Sequence, residues 1–415
     1  MNGATSSKLL VVGCGFPQLS LIRLARSLDV HVVGVDLNRH AVGVPYVSEF
    51  HEVSTNDVEG IEATVKRSGA RAITTTGSEV SLKAVALVAA RLGLPFHADP
   101  EVIRRCQEKD AMRAGYEAGG VSVPRFASCG TIDQARTFAR EVGFPIVLKP
   151  SRGWGQRGVA RVDDESEIAD AFAGAFEQSS SAGLAVVVAE EWLEGREYSV
   201  NGWIEDGVLV NYCVTERITV PGKKPLGVMV AEVYASGLTR EEEARVVEEA
   251  RRGARALGHR RGPCYSQVML ERPLAASASR ERKCVLFETA ARMGGGFDAD
   301  VTKLASGVDL YKRILGVAFD RLDWEREGVT AKSYGGAIAK FLVAKPGVVR
   351  AIDGIEAARA VADVDDVQVF THVGGTVHPL TDSAKRAAYA LAHGVDRASA
   401  ERAADAALAA IRIDT

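Results

Sequence analysis

An α/β fold, with α+β portions, is predicted by three features of the 415-residue sequence. The first hundred residues alternate short apolar runs with stripes of helical period. From about residue 198 to 300 the pattern shifts to hairpin-like strands separated by turn residues. No apolar run approaches 18 residues and no internal repeat occurs, so a membrane bundle or a solenoid is excluded. At roughly 150 residues per domain, this length implies two or three domains. The 51 Lys and Arg against 54 Asp and Glu leave a net charge of −3, and 47% of residues are hydrophobic. That is ordinary globular composition without the basic face that nucleic acid needs, so neither nucleic acid nor a membrane surface is an expected partner. The N-terminus lacks a basic segment followed by an apolar stretch, and a cytoplasmic location is expected.

The elements follow in order. Leu9 to Val12 is an apolar run ending at Gly13. Leu21, Leu24, Ala25 and Leu28 fall at i, i+3, i+4 and i+7, one face of a helix. A second run from Val30 to Val35 ends at Asp36. A third, Ala72 to Thr76, leads into a stripe of Leu82, Val85, Ala86 and Ala89. Strands separated by helices imply parallel pairing with right-handed crossovers, hence a doubly wound domain over residues 1–100. Asp99-Pro100 reads as an N-cap with proline at the first helical position, and Gly119-Gly120 as the stop of that helix. Further on come a strand ending in Lys149-Pro150, a loop, and an apolar run from Leu184 to Ala189. Hairpin turns are expected at Glu205-Asp206-Gly207 and Pro221-Gly222, and an exposed loop over 273–282. From about 331, short strands precede an Ala-rich helix from Ser399 to Ile411. The six cysteines form no CxxC pair, which suggests buried free thiols rather than zinc or disulfides.

Four motifs carry chemistry. Gly13-Cys14-Gly15 after a strand, with Asp36 ending the next, is part of a dinucleotide fingerprint, but Gln18 stands where the third glycine belongs and Pro17 interrupts. A tight strand-to-helix turn is the preferred reading. The run from Lys149 through Ser151, Gly153, Gly155 and Gly158 delivers a lysine from a strand into a glycine-rich loop. Such a loop can curl so that several N–H groups address one anion. It also reads as a plain glycine-rich hairpin. Glu190-Glu191-Trp192-Leu193, with Glu197 beyond, reads as a hinge whose backbone meets an adenine edge, or as a solvated acidic turn. Finally, an apolar strand ends in Glu288, with Arg292 four residues on and Gly294 to Gly296 after it. The preceding strand offers Gln267, Met269 and Glu271 on one face. Gln267 or Glu271 can then share a hard cation with Glu288, and Arg292 can grip a phosphoryl or carboxylate group; a structural Glu288–Arg292 pair is the alternative.

Taken in order, these segments resemble the ATP-grasp superfamily of carboxylate–amine ligases, closest in pattern to its L-amino-acid (dipeptide) ligase branch. The resemblance covers nearly the whole chain. It implies a pre-ATP-grasp doubly wound domain over 1–100, including Thr74 to Glu79, and a two-lobed ATP-grasp domain over 101–330 with its lid lobe near 125–195. A C-terminal α/β subdomain over 331–415 follows. Cys106 to Asp110 matches the segment of the first ATP lysine, here Lys109, and Lys149 matches the second. Ser151 to Gly158 matches the lid over the phosphates, with Ser151, Gly153, Gly155 and Gly158 as its small residues. Glu190, Glu191, Trp192 and Leu193 match the adenine hinge, and Glu197 the ribose contact. Gln267 and Glu288 match the metal ligands and Arg292 the catalytic arginine. Two departures stand out: Gln267 where a glutamate is usual, and Ala290 where an asparagine often follows the second acid.

The resemblance implies ATP and Mg²⁺, one or two ions with Mn²⁺ as a substitute, and a two-step reaction. A substrate carboxylate becomes an acyl phosphate, and an amine then displaces phosphate, leaving ADP. Small carboxylates and amines, above all amino acids, are the implied substrates, and a homodimer is the candidate assembly. His372 and His378 are candidates to act on the amine, or are plain surface or core histidines. Two rivals remain: a biotin-carboxylase- or carbamoyl-phosphate-synthase-like carboxylating enzyme, and an NAD-linked oxidoreductase resting on Gly13, Gly15 and Asp36 alone.

Overall fold

The computed structural model describes residues 8–415 except 154, 223–225, 273–282, 322 and 325–332. Trp154 and the loop expected at 273–282 thus lie outside the described residues.

The three apolar runs of the first hundred residues form strands, and a fourth strand and a further helix that the sequence reading did not name join them. Strands β1 (Lys8–Val12), β2 (His31–Asp36), β3 (Glu49–Glu52) and β4 (Ala72–Thr74) form a parallel sheet in the order β3-β2-β1-β4. One face buries Leu10, Val12, Val33 and Val35 against α2 (Val58–Ser68) and α3 (Glu79–Leu92). The other buries Leu9, Val11 and Val32 with Leu21 and Ile22 of α1 (Phe16–Ser27). That second core also contains Leu310, Ile314 and Leu315, from a helix about 300 residues away in sequence. The first sheet is therefore locked onto the rest of the chain and not hung on a linker.

Asp99 caps the next helix through Glu101 and Val102 amides, with Pro100 first inside it. It ends earlier than expected. Glu108, at φ −93° and ψ 110°, divides α4 (Pro100–Gln107) from α5 (Lys109–Ala118), and Gly119 closes the second helix. Apolar periodicity runs on through the break, because Ile103, Cys106 and Met112 all reach one core. What breaks the helix is tertiary: Glu108 leaves helical geometry to bridge to Arg152 as an isolated antiparallel pair.

A small lobe follows, with β5 (Phe126–Cys129), α6 (Ile132–Val142), β6 (Ile146–Pro150), β7 (Ala160–Val162), α7 (Ile168–Ser181) and β8 (Val187–Glu191). Its antiparallel sheet runs β5-β8-β6-β7, packed on α6 and α7 through Phe138, Leu148 and Phe172. The apolar run from Leu184 becomes a strand only at Val187.

The remaining chain builds an eight-stranded sheet. Its members are β9 (Gly195–Glu205), β10 (Val208–Thr219), β11 (Met229–Tyr234), β12 (Gly262–Glu271), β13 (Cys284–Ala290) and β14 (Gly336–Leu342), with strands Val364–Val369 and Ala388–Gly394. The order is β13-β12-β9-β10-β11-β14, then Ala388–Gly394 and Val364–Val369. The turn at Asp206-Gly207 has both residues at positive φ, 49° and 82°, as a two-residue hairpin of this hand demands. Helix α8 (Arg240–Ala256) covers one face, with Val246 and Ala250 against Val268 and Leu286. Helices α9 (Asp298–Ser306) and α10 (Leu310–Ala318) lie on the other side, α10 against the first sheet. The C-terminal helix spans Arg397–Ala410, packing Ala400, Ala403 and Ala404 on β14. All six cysteines are buried free thiols. Among the described residues no helix is long and apolar enough to cross a membrane.

Candidate active site

A cavity of about 650 Å³ lies where the three sheets approach one another. The first sheet contributes the Gly77–Glu79 turn, the small lobe Arg152, Gly153 and Gly155, and the large sheet Tyr265, Gln267 and Glu288. The loop before the strand Ala388–Gly394 contributes Asp382 and Arg386.

The helix break at Glu108 builds one wall. It makes Lys109 the first residue of α5, whose backbone N–H donates to Ser151 O at 2.9 Å, while Nζ donates to Gly153 O at 3.1 Å. Glu108 pairs with Arg152 and with Arg104. The glycine-rich segment is thereby anchored at its base and open beyond it. Its residues divide by role. Gly153 and Gly155 face the cavity, and nothing lies within 4 Å of a side chain at Gly155. Ser151 is fully buried and bonds Asp110, and Gly158 packs on Gln178 of α7, so these two hold the segment in place. At its tip, Gly155 O accepts from Ser383 N at 3.2 Å and Arg157 approaches Asp382 at 3.6 Å.

Behind that wall, β6 and β8 pair so that Lys149 Nζ meets Glu190 Oε2 at 2.6 Å. Arg113 of α5 is fully buried, holds Glu190 at 2.7 Å, and donates to Phe287 O at 2.9 Å. Burial alone would raise the Glu190 carboxyl, but Arg113 and Lys149 outweigh it and leave it below its usual value. Burial lowers Lys149 from 10.5 to about 7 against the pull of Glu190. Glu190 is thus an internal counter-ion, not a group presented to a ligand. Glu191 pairs with Arg125 on the outer side, and the Trp192 ring carries the Arg161 guanidinium at 4.5 Å. Leu193 is half-buried just before β9.

The opposite wall is the pair β12–β13, where Gln267 and Glu288 stand directly across from each other in the ladder. Gln267 Nε2 donates to Glu197 Oε2 at 2.6 Å, which turns its amide oxygen toward other partners. Glu271, the other candidate beside Glu288, sits at the end of β12 and does not line the cavity. Arg292 pairs with Glu79 and stands 3.8 Å from Glu288, so the expected Glu288–Arg292 contact exists but is the weaker one. Among the described residues no group of three or more His, Cys, Asp or Glu is placed to hold a metal. A carboxylate beside an amide oxygen still fits Mg²⁺, which takes one or two protein ligands and fills its octahedron with phosphate oxygens and water.

The floor was not foreseen. Arg217 of β10 contacts Tyr265 Oη at 2.7 Å, Glu232 at 3.2 Å and Glu197 at 3.4 Å. Glu232 is wholly buried, accepting from Ser199 and Thr215 at 2.9 and 2.6 Å. Burial and the nearby Asp298 push its carboxyl up to about 8, against Arg217. Glu232 interrupts an apolar strand in the sequence, the one local signal that marks it, but its partners lie on two other strands, β9 and β10, and are invisible there.

Two pairs of alternatives are narrowed, each toward its plainer member. His372 and His378 are exposed and outside the cavity lining, which fits the plain surface reading. The Gly13–Gly15 turn is closed by its own chain: Asp36 accepts from the Cys14 amide at 2.8 Å, and the Gln18 side chain lies over Gly13, bonded to Thr76 O. The amides and the space that a pyrophosphate needs are already used.

A profile described as the carbamoyl-phosphate synthase L chain, ATP binding domain, matches residues 108–321, just over half of the chain. The chain belongs to the ATP-grasp superfamily. Residues 340–415 of this ATP-grasp protein match a second profile, L-amino acid ligase C-terminal domain 2. The uncharacterized protein y4rH of Sinorhizobium fredii is 28% identical over 360 residues, 85% of this chain and 71% of that one. The alanine–anticapsin ligase of Bacillus subtilis is 26% identical over 299 residues, 67% of this chain and 60% of that one, so the match leaves two fifths of that ligase uncovered. The crystal structure of an L-amino acid ligase from Bacillus licheniformis shares the fold, with a TM-score of 0.78, 19% identity and 98% coverage of both chains.

Proposed function

We propose that this ATP-grasp protein is a carboxylate–amine ligase that activates a carboxylate as an acyl phosphate and couples it to an amine, releasing ADP and phosphate. One observation carries the reading: Gln267 and Glu288, paired across β12 and β13, face Lys109 and the open glycines across a single cavity. In this reading Lys109 and the amides around Gly153 and Gly155 take the outer phosphates, and Lys149 exchanges part of its bond to Glu190 for phosphate oxygen. The backbone of Glu190 to Leu193 meets the adenine, and Glu197 the ribose. Mg²⁺ on Gln267 and Glu288, or Mn²⁺ in its place, supplies neutralisation of the phosphate oxygens.

A substrate carboxylate oxygen then bonds to the γ-phosphorus while the bond to the β–γ bridging oxygen breaks, giving acyl phosphate and ADP. The amine attacks the acyl carbon, phosphate leaves, and the amine proton goes to solvent or phosphate. Arg292, fixed by Glu79, stabilises the oxygen on which charge collects. The glycine-rich segment, docked on Asp382 and Ser383, keeps water from the acyl phosphate.

The test is product analysis with ATP, Mg²⁺ and pairs of amino acids or small carboxylic acids, with hydroxylamine added to trap an acyl phosphate as hydroxamate. ADP, phosphate and a hydroxamate are expected. AMP and pyrophosphate would overturn the reading.

A further inference from the structure

The cations lining the cavity are mostly answered from within the protein. Arg152 is held by Glu108, Arg157 by Asp382, Arg217 by Glu232 and Arg292 by Glu79. Lys109 is bonded to Gly153 O. Lys83 and Arg386 have no carboxylate within ion-pair distance among the described residues, and of these two only Arg386 is held in a desolvated setting. Its guanidinium lies 3.7 Å from the centre of the Phe341 ring, Nε donates to Ser383 O at 2.7 Å, and Nη1 is buried with no hydrogen-bond partner among the described residues. Burial and the neighbouring Arg217 lower its pKa to about 10, against Asp298, Glu232 and Asp382. A cation packed on a ring face and short of a partner is a prepared anion site.

Position separates this site from the metal wall. Glu288 lies on β13 and Arg217 on β10, three strands away in the sheet order, about 14 Å at the usual spacing between strands. Arg386 enters from beyond β14, beside the far end of that row. A carboxylate held at Arg386 and one activated beside Glu288 and Arg292 would thus enter from opposite ends of that row.

We propose that Arg386 is a specificity-determining residue that binds a second carboxylate, one that is not activated and stays charged through the reaction. This rests on the ligase reading above. Two sources fit the chemistry: the free carboxylate of an amino-acid acceptor, or the remote carboxylate of a dicarboxylic donor. Arg386 follows directly on Asp382 and Ser383, which hold the tip of the glycine-rich segment, so occupancy of this site also steadies the surface on which that segment closes.

The test uses the full chain with ATP and Mg²⁺, reading ADP and coupled product by mass. One arm offers glycine, L-alanine, L-serine, L-leucine and L-phenylalanine as acceptors, each against its own carboxamide. The other offers succinate, glutarate, L-aspartate and L-glutamate as donors, each against its remote monoamide. The wild-type protein is expected to favour the free acid in one arm by about 10²-fold in kcat/KM, mainly through KM, which is the scale of losing one partner of a desolvated charge pair. The arm that responds names the source. Arg386→Met should bring acid and amide to parity with the KM for ATP unchanged, and Arg386→Lys should restore part of the preference. The wild-type comparison stands even if a variant misfolds. Coupling with acid and amide used equally in both arms overturns this inference alone. No ADP with any pair overturns the ligase reading as well, and so the two failures differ in what is seen.

Discussion

Two glycine turns sit at the ends of two strands, and only one of them is open to a ligand. Gly13, after β1, has its neighbouring amide bonded to Asp36 and its open face filled by Gln18. Gly153 and Gly155, after β6, face a cavity, with Lys109 anchoring the segment from beneath. Both satisfy the same sequence rule, that glycines after a strand let backbone amides approach an anion. The difference lies in whether the amides and the space are already spent. A glycine motif is therefore half of a site, and the other half is the absence of an internal partner, which only the fold supplies.

The largest effect that separates the open region from the closed one is expected at Glu288. Glu288→Gln keeps shape and one oxygen but removes the charge that would hold the cation. ATP turnover should fall by about 10² or more, the scale of losing a principal electrostatic group. Arg292 keeps Glu79, so the melting temperature should hardly move. Rescue of part of the activity by high Mg²⁺ would sharpen the assignment. A destabilised variant with normal turnover per folded molecule would instead make Glu288 a structural partner of Arg292.

The two turns themselves give the next effect. At Gly13, φ is +94° and a Cβ would meet the Gln18 side chain at 2.9 Å, where that side chain is buried and tied to Thr76 O. Gly13→Ala should cost about 2 kcal/mol of stability, as strained left-handed positions do, and leave the KM for ATP per folded molecule unchanged. At Gly155, φ is +70° with open space around it, so Gly155→Ala should cost about 1 kcal/mol and raise the KM for ATP several-fold. Differential scanning fluorimetry beside steady-state kinetics reads both. A raised KM in Gly13→Ala would break the distinction.

What the sequence showed and hid follows the same line. Period-two alternation placed Gln267 on the face that meets Glu288, and the strand–helix rhythm of the first hundred residues gave the parallel sheet. The break at Glu108 was hidden because Cys106 and Met112 keep the apolar pattern running through it, and the cause is Arg152, 44 residues on. Arg113 and Glu190 are 77 residues apart, and Arg217 and Tyr265 are 48 apart. A buried charge network of that span has no local signature. Arg386 was missed for a further reason: it belongs to no motif, and its meaning comes from Phe341 beneath it and a cavity in front.

The last expected effect, the most gradual because it is spread over pH, tests whether the lysine behind the open loop is used as proposed. Burial lowers Lys149 from 10.5 to about 7. The folded value lies below the unfolded one, so from this group alone the stability of the free protein rises as pH increases between 7 and 10.5. Nucleotide phosphates bring negative charge, raise the lysine again, and bind best to its protonated form. Affinity for ATP should therefore fall as pH rises, by roughly ten-fold between pH 7 and 8.5, with a proton taken up on binding. Calorimetry in buffers of different ionisation enthalpy measures that uptake directly. Lys149→Met leaves Glu190 paired with Arg113, so the fold should persist while both the uptake and the slope disappear. A slope unchanged in Lys149→Met would mean that the Lys149–Glu190 pair is structural, like the closed turn at Gly13, and that Lys109 holds the phosphates alone.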